Sequence, residues 1–200
     1  MQPSDFIDIQ LDREDIILLL LDANQRILRN DTINGITRME KLLFLLERES
    51  NFQGVARFFP FEPHHFGPFS KEVYEAIDFL ESCRLIDVRE KSYSTLYANS
   101  DESKLWSEIM ESDVPVELQT GDAPVTEKLF SLTDDGRVVA GKLRDAVAAR
   151  RPSDIQELDD LIRRYGNRPL SHLIRYVYHQ YPQMTVKSKH PEAKRVRRSF

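Results

Sequence analysis

Apolar residues recur along this chain in patterns that change several times. Ile16 to Leu21 is an unbroken apolar run preceded by Asp12 and Asp15. This predicts an N-capped helix over 12–28 that is apolar nearly all round, and therefore central. Arg29 to Gly35 is turn-rich. Thr37-Arg38-Met39-Glu40 has capping-box spacing, and Leu42, Leu43, Leu45 and Leu46 supply the buried stripe of a second helix to Ser50. Phe52 to Phe69 is dense in rings and prolines, so it predicts a loop packed on the core, extended before each proline. Ser70 is placed to cap a third helix to Arg84, in which Val73, Ile77 and Leu80 recur at i, i+4 and i+7.

The period then shortens. Leu85–Arg89 and Tyr93–Ala98 alternate as two strands, and Glu127–Thr133 reads as a third. Asp101–Glu111 suits a short helix around Leu105, Trp106 and Ile109, and Ser112–Pro124 a loop. Thr133 caps a helix to Arg150. Ser153-Asp154-Ile155-Gln156 is a second capping box for a helix to Tyr165, with Gly166 at its C-terminal end. Pro169 opens a last long helix lined by Leu170, Leu173, Ile174, Val177, Tyr178 and Tyr181, and Pro182 stops it. The order predicts an α+β fold, mainly helical: a winged-helix-like core with a small antiparallel sheet over residues 1–150. A C-terminal helical extension follows over 151–186, then a flexible basic tail over 187–200.

Composition narrows the class. The chain has 200 residues, 40% hydrophobic and 30% charged, enough to bury a core. Its longest apolar run falls far short of the roughly 20 residues that span a bilayer, and no signal-peptide pattern opens the chain. The single cysteine, Cys83, excludes an internal disulfide framework and a multi-cysteine zinc site. A soluble cytoplasmic protein without membrane contact fits. The net charge of −5 is uneven: residues 187–200 carry Lys187, Lys189, Lys194, Arg195, Arg197 and Arg198 against Glu192 alone. An acidic body with a basic tail argues against broad capture of nucleic acid by the folded part.

Two segments carry a family likeness. Gly35-Ile36-Thr37-Arg38-Met39-Glu40-Lys41-Leu42-Leu43-Phe44-Leu45-Leu46 is one, and His65-Phe66-Gly67-Pro68-Phe69-Ser70-Lys71-Glu72-Val73, running on to Leu80 and to Ser82-Cys83-Arg84-Leu85-Ile86, is the other. Together they resemble the prokaryotic families related to the Panacea antitoxin domain, which have a glycine where this chain has Arg84. Phe130-Ser131-Leu132-Thr133-Asp134-Asp135-Gly136 resembles the strand-to-helix junction of many winged-helix regulators. The likeness covers about residues 12–145. It implies a winged-helix-like module in a toxin–antitoxin, phage-defence or similar regulatory setting, binding other proteins without catalysis.

The candidate contacts follow from chemistry. His64, His65, Phe66 and Phe69 surround a Gly67-Pro68 turn, a partner-recognition loop if its rings are exposed and a structural turn if they are not. His64 and His65 alone are too few for a metal site, and no cofactor motif is present. The third helix carries Glu72, Glu75, Asp78 and Glu81, which would repel phosphates in a major groove. The leading expectation is therefore a non-enzymatic regulatory or adaptor protein that binds another protein through these residues. The alternative is a winged-helix DNA-binding transcriptional regulator using Arg89, Lys91 and the six tail cations. A duplex surface on this fold would bring Arg38, Lys41, Lys71 and Arg89 onto one exposed face. The last helix's tyrosine-rich stripe reads as core packing or as a dimer or partner face. Adjacent carboxylates such as Asp134-Asp135 lack the separation an acid–base pair needs.

Overall fold

A computed structural model of the protein describes residues 10–52, 58–93, 125–188 and 190–198. Helix α1 (Arg13–Leu28) opens on a reciprocal capping box: the Asp12 carboxylate accepts from the Asp15 amide, and Asp15 accepts from the Asp12 amide. Every side chain from Ile16 to Leu21 is buried, so this helix is the central rod that the apolar run predicts. A two-residue strand, β1 (Ile33–Asn34), leads into α2 (Ile36–Glu49).

Here the sequence expectation is corrected. Helix α2 begins one residue before Thr37, with Gly35 at φ 83 as its N-cap and no side-chain cap. Thr37 and Glu40 are therefore buried helical residues rather than a capping box. The same holds in the helix that starts at Pro152, where the proline takes the first-turn position and Ser153 caps nothing.

The ring-rich segment closes as a tight hairpin, β2 (Glu62–His64) and β3 (Gly67–Phe69), with His64 opposite Gly67. Helix α3 (Lys71–Ser82) follows and buries Val73, Ala76, Ile77 and Leu80. Strands β4 (Ile86–Tyr93) and β5 (Val125–Leu132) pair antiparallel, Ile86 against Leu132 through to Tyr93 against Val125. One long strand thus stands where two short ones were expected. The expected strand end over 94–98, the helix over 101–111 and the loop over 112–124 lie outside the described residues. Strand β1 pairs with the other edge of β5, Ile33 against Phe130, giving a three-stranded antiparallel sheet of order β1-β5-β4.

Thr133 caps α4 (Asp134–Arg150) by accepting the Gly136 amide, and its hydroxyl donates to the Arg84 carbonyl. Then come α5 (Pro152–Leu161), a π-turn (Ile162–Gly166), α6 (Leu170–Gln180), a 3₁₀ turn (Pro182–Thr185) and α7 (Pro191–Arg197). The fold is mainly helical with a small antiparallel sheet. One buried cluster runs from Leu11 to Val196, so the C-terminal helices share the core of the first 150 residues.

The tail also differs from expectation. Ala193 and Val196 are buried, Arg197 donates to the Thr185 and Ser188 carbonyls, and Ser188 Oγ donates to the His65 carbonyl at 2.8 Å. Apolar residues at i and i+3 among the cations give α7 a docking side, which a charge count overlooks.

Arg84 stands at φ 59, in the left-handed region. A side chain there costs about 1 kcal/mol or more, and glycine is the residue that escapes it. Arg84→Gly is expected to raise stability by ~0.5–1 kcal/mol, read as a higher thermal midpoint without altered circular dichroism.

Burial pushes the Asp15 carboxyl up from 3.8 to about 6, with the charge of Asp12 adding to it. A raised carboxyl stabilises fully below its unfolded value, and that contribution is lost as pH rises through the folded one. Raising the pH from about 4 to about 7 should therefore lower the wild-type midpoint relative to Asp15→Asn, whose amide keeps the acceptor for Asp12.

Candidate functional site

The two motif segments meet in space. Lys41, 1% exposed, sends its ammonium beneath the hairpin, where it donates to the Pro68 carbonyl at 2.7 Å and lies 3.5 Å from Glu40 Oε2. Glu40 is also buried, and burial pushes its carboxyl up against the opposing pull of Lys41. Gly67 takes φ 90, and a Cβ there would sit 2.9 Å from the Tyr178 ring. Lysine, glycine and proline here are one structural device: a buried ion pair holding the strand that carries Phe69.

That device displays the hairpin's outer side. His64 and His65 stack at 4.5 Å between ring centroids, His64 meets Phe69 at 4.7 Å, and Phe69 meets Tyr74 of α3 at 5.6 Å. His65 is exposed, while His64 and Phe69 are half-buried. Phe66, expected among the displayed rings, instead packs its half-buried ring against the core. Burial holds the His64 imidazole below its usual range, with His65 adding to the effect.

Helix α3 continues the surface. Glu75, Asp78 and Glu81 are exposed, and Glu72 is half-buried with its carboxylate accepting from Ser70 Oγ at 2.7 Å. Glu75 also meets Lys71 at 3.1 Å and Arg13 at 2.9 Å, and these hydrogen bonds hold it below the usual carboxylate range. Between the acids stand Phe79, 54% exposed, and Tyr74, 40% exposed. Neither was singled out from sequence. The signal was there: with Val73, Ala76, Ile77 and Leu80 filling the buried face, Phe79 falls outside the stripe.

A groove of about 600 Å³ adjoins this face, between the end of α2 and the hairpin, lined by Phe59, Phe61 and Phe69 with Glu62, Lys71 and Glu72.

The cations of a conventional duplex-binding face do not converge. Arg38 is buried and donates to the Gly166 and Arg168 carbonyls at 3.2 and 2.7 Å, and Lys41 is buried as described. Lys71 pairs with Glu75, and Arg89 lies 3.5 Å from Asp87. Lys91 is exposed on β4. Of the tail cations, Lys187 lies 3.9 Å from Glu62, Arg195 meets Glu192 at 3.4 Å, and Lys194 is half-buried. Arg197 is bonded to backbone carbonyls, Arg198 is exposed, and Lys189 lies outside the described residues.

The tyrosine stripe of α6 is core. Tyr165 and Tyr178 are buried, and the Tyr165, Tyr176 and Tyr181 hydroxyls all donate to Glu49, at 2.5, 2.8 and 3.4 Å. These phenols stay protonated, since burial pushes Tyr181 up to about 12. Three donors on one carboxylate fasten the C-terminal helices to α2.

Comparison with protein-family models, with curated proteins and with solved structures returns no match. No helix among the described residues is long and apolar enough to cross a membrane.

Removing one member of a buried pair strands the other. Lys41→Met is expected to destabilise by about 3–5 kcal/mol in denaturant unfolding. Adding Glu40→Gln, which keeps the shape of the side chain while deleting the charge, should recover much of that loss; an additive loss would show that the pair does not anchor the hairpin.

Proposed function

We propose that this protein is a non-enzymatic regulatory adaptor of the toxin–antitoxin or phage-defence type, soluble and cytoplasmic, that binds another protein through its hairpin and α3. The observation that carries the reading is the pair of exposed rings, Phe79 and Tyr74, set among Glu75, Asp78 and Glu81. An aromatic anchor within a charged rim is the anatomy of a protein interface, where a few desolvated rings supply most of the affinity. The His65-His64-Phe69-Tyr74 ladder extends that anchor, and the neighbouring groove, lined by rings and charged side chains alike, adjoins it.

A winged-helix-like core is part of the proposal. Supporting it are the order of three helices before the β4–β5 hairpin and a strand between the first two helices that pairs with β5. The likeness of the two motif segments to Panacea-related modules supports the regulatory setting. In a winged helix α3 would be the groove-reading helix, and its acids oppose that use. The alternative of a groove-reading transcriptional regulator is weakened further by Asp87 beside Arg89 on β4.

The test uses the tagged full-length chain co-expressed with the product of the adjacent gene. Wild type should retain that product, and Phe79→Ala with Asp78→Lys should reduce capture at least tenfold, about 1.4 kcal/mol or more, at unchanged thermal midpoint. Equal capture by wild type and variant would remove this face from the interface.

A further inference from the structure

Charge divides along the chain more sharply than the tail alone shows. Residues 162–200 hold ten Lys and Arg against Glu192 alone, a net +9, which leaves −14 on residues 1–161. Folding gathers several of these cations onto one surface. Helix α6 presents His172, Arg175 and His179 to solvent, a single stripe at i, i+3 and i+7. Helix α7 docks beside it, and Glu192 is the clasp: its carboxylate lies 3.0 Å from His179 Nε2, 3.9 Å from Arg175 Nε and 3.4 Å from Arg195 Nη1. Arg198 is exposed three residues beyond Arg195. Before α6, Arg168 stands over the rings of Tyr165 and Tyr176 at 5.1 and 6.0 Å.

We propose that this α6–α7 face is a second binding surface, and that it takes the sugar–phosphate backbone of a nucleic-acid duplex. The occupant follows from what the face contains and what it lacks. Arginines prevail, the side chain whose planar fork matches phosphate oxygens. Among the described residues the large exposed apolar side chains are Tyr74, Phe79, Val138, Val139 and Val186, none of them on α6 or α7. A protein interface centres on such anchors, whereas a nucleic-acid interface is polar and strongly positive without them. By that criterion the acidic, ring-bearing α3 face fits a polypeptide, and the cationic, anchor-free α6–α7 face fits phosphate.

The acidic remainder does not forbid this. At physiological salt fields decay over about 8 Å, so a phosphate on this face meets the adjacent guanidinium groups and little of the distant carboxylates. Backbone contacts fix position and carry no sequence information, so the binding is sequence-independent and steeply salt-dependent. It uses side chains separate from those of the protein-partner reading and stands without it.

The test is fluorescence anisotropy of the full chain with labelled duplex DNA and, separately, duplex RNA over a salt series, with polyglutamate as competitor. Wild type should bind a duplex at low salt, with log K falling linearly against log salt. Arg175→Gln/Arg195→Gln/Arg198→Gln should weaken binding at least tenfold and flatten the slope by roughly one unit for each arginine that meets a phosphate. Arg198→Gln alone, outside the Glu192 clasp, should flatten it by about one unit, which keeps the test informative if the triple variant misfolds. Arg89→Gln/Lys91→Gln should leave the slope unchanged. The proposal is overturned by absence of duplex binding at low salt, by slopes indifferent to the α6–α7 arginines, by a slope lost in the β4 variant, or by polyglutamate displacing duplex as readily as unlabelled duplex does.

Discussion

A lysine with no access to water sets the terms for much of this structure. The Lys41 ammonium has Glu40 and the Pro68 carbonyl within reach, and the buried Glu40 carboxylate has Lys41 beside it, so each offsets part of the other's cost of burial. An ion pair of this kind adds little net stability compared with a well-packed apolar pair. Its value lies in geometry: the ammonium has its carbonyl acceptor in one place, so β3 is tied to α2 in one register. Everything displayed from that strand, Phe69 and the His64 ring stacked on it, inherits its position from a contact no solvent reaches.

The same anchorage explains why the C-terminal helices belong to the core. Gly67 is open to the Tyr178 ring because it has no side chain, and Tyr178 in turn bonds Ser188, whose hydroxyl reaches the His65 carbonyl. The hairpin is thus held from beneath by α2 and from the far side by α6 and the chain leading to α7. Glu49 adds a second tie, with three phenol hydroxyls on one carboxylate. Cutting the chain after residue 150 would expose the face of α2 that Tyr165 and Tyr178 cover.

What sequence could reveal depended on whether a signal was local. The Ile16–Leu21 run, the Asp12 and Thr133 caps and the α3 stripe are local, and they stand where the pattern put them. The capping boxes at Thr37 and Ser153 failed for a physical reason. Helix α2 already starts at Ile36 and α5 at Pro152, whose ring has no N–H for a cap to serve, so Thr37 and Ser153 lie inside the first turn, and Glu40 pairs with Lys41 instead. Lys41 itself was illegible, since a lysine one residue before an apolar stripe reads as a surface charge until its partner arrives from 27 residues away. Phe79 was legible by elimination, and the folding of the tail was not, because six cations mask the two small apolar side chains that dock it.

Net charge misleads for a related reason. A value of −5 describes a molecule whose cations have three different fates. Arg38 and Lys41 are consumed by carbonyls and a carboxylate inside the core, and Lys71 and Arg89 face neighbouring acids. The third group, on α6 and α7, surrounds Glu192, where Arg175 and Arg195 outnumber the charge they share. The first group is buried, the second faces one acid apiece, and in the third one carboxylate is shared between two arginines. A charge matters to a partner only where its own neighbours have left it unbalanced within a screening length, which is a property of the fold and not of the sum. By that measure α3 is the wrong sign for a phosphate backbone, and α6 with α7 is the right one.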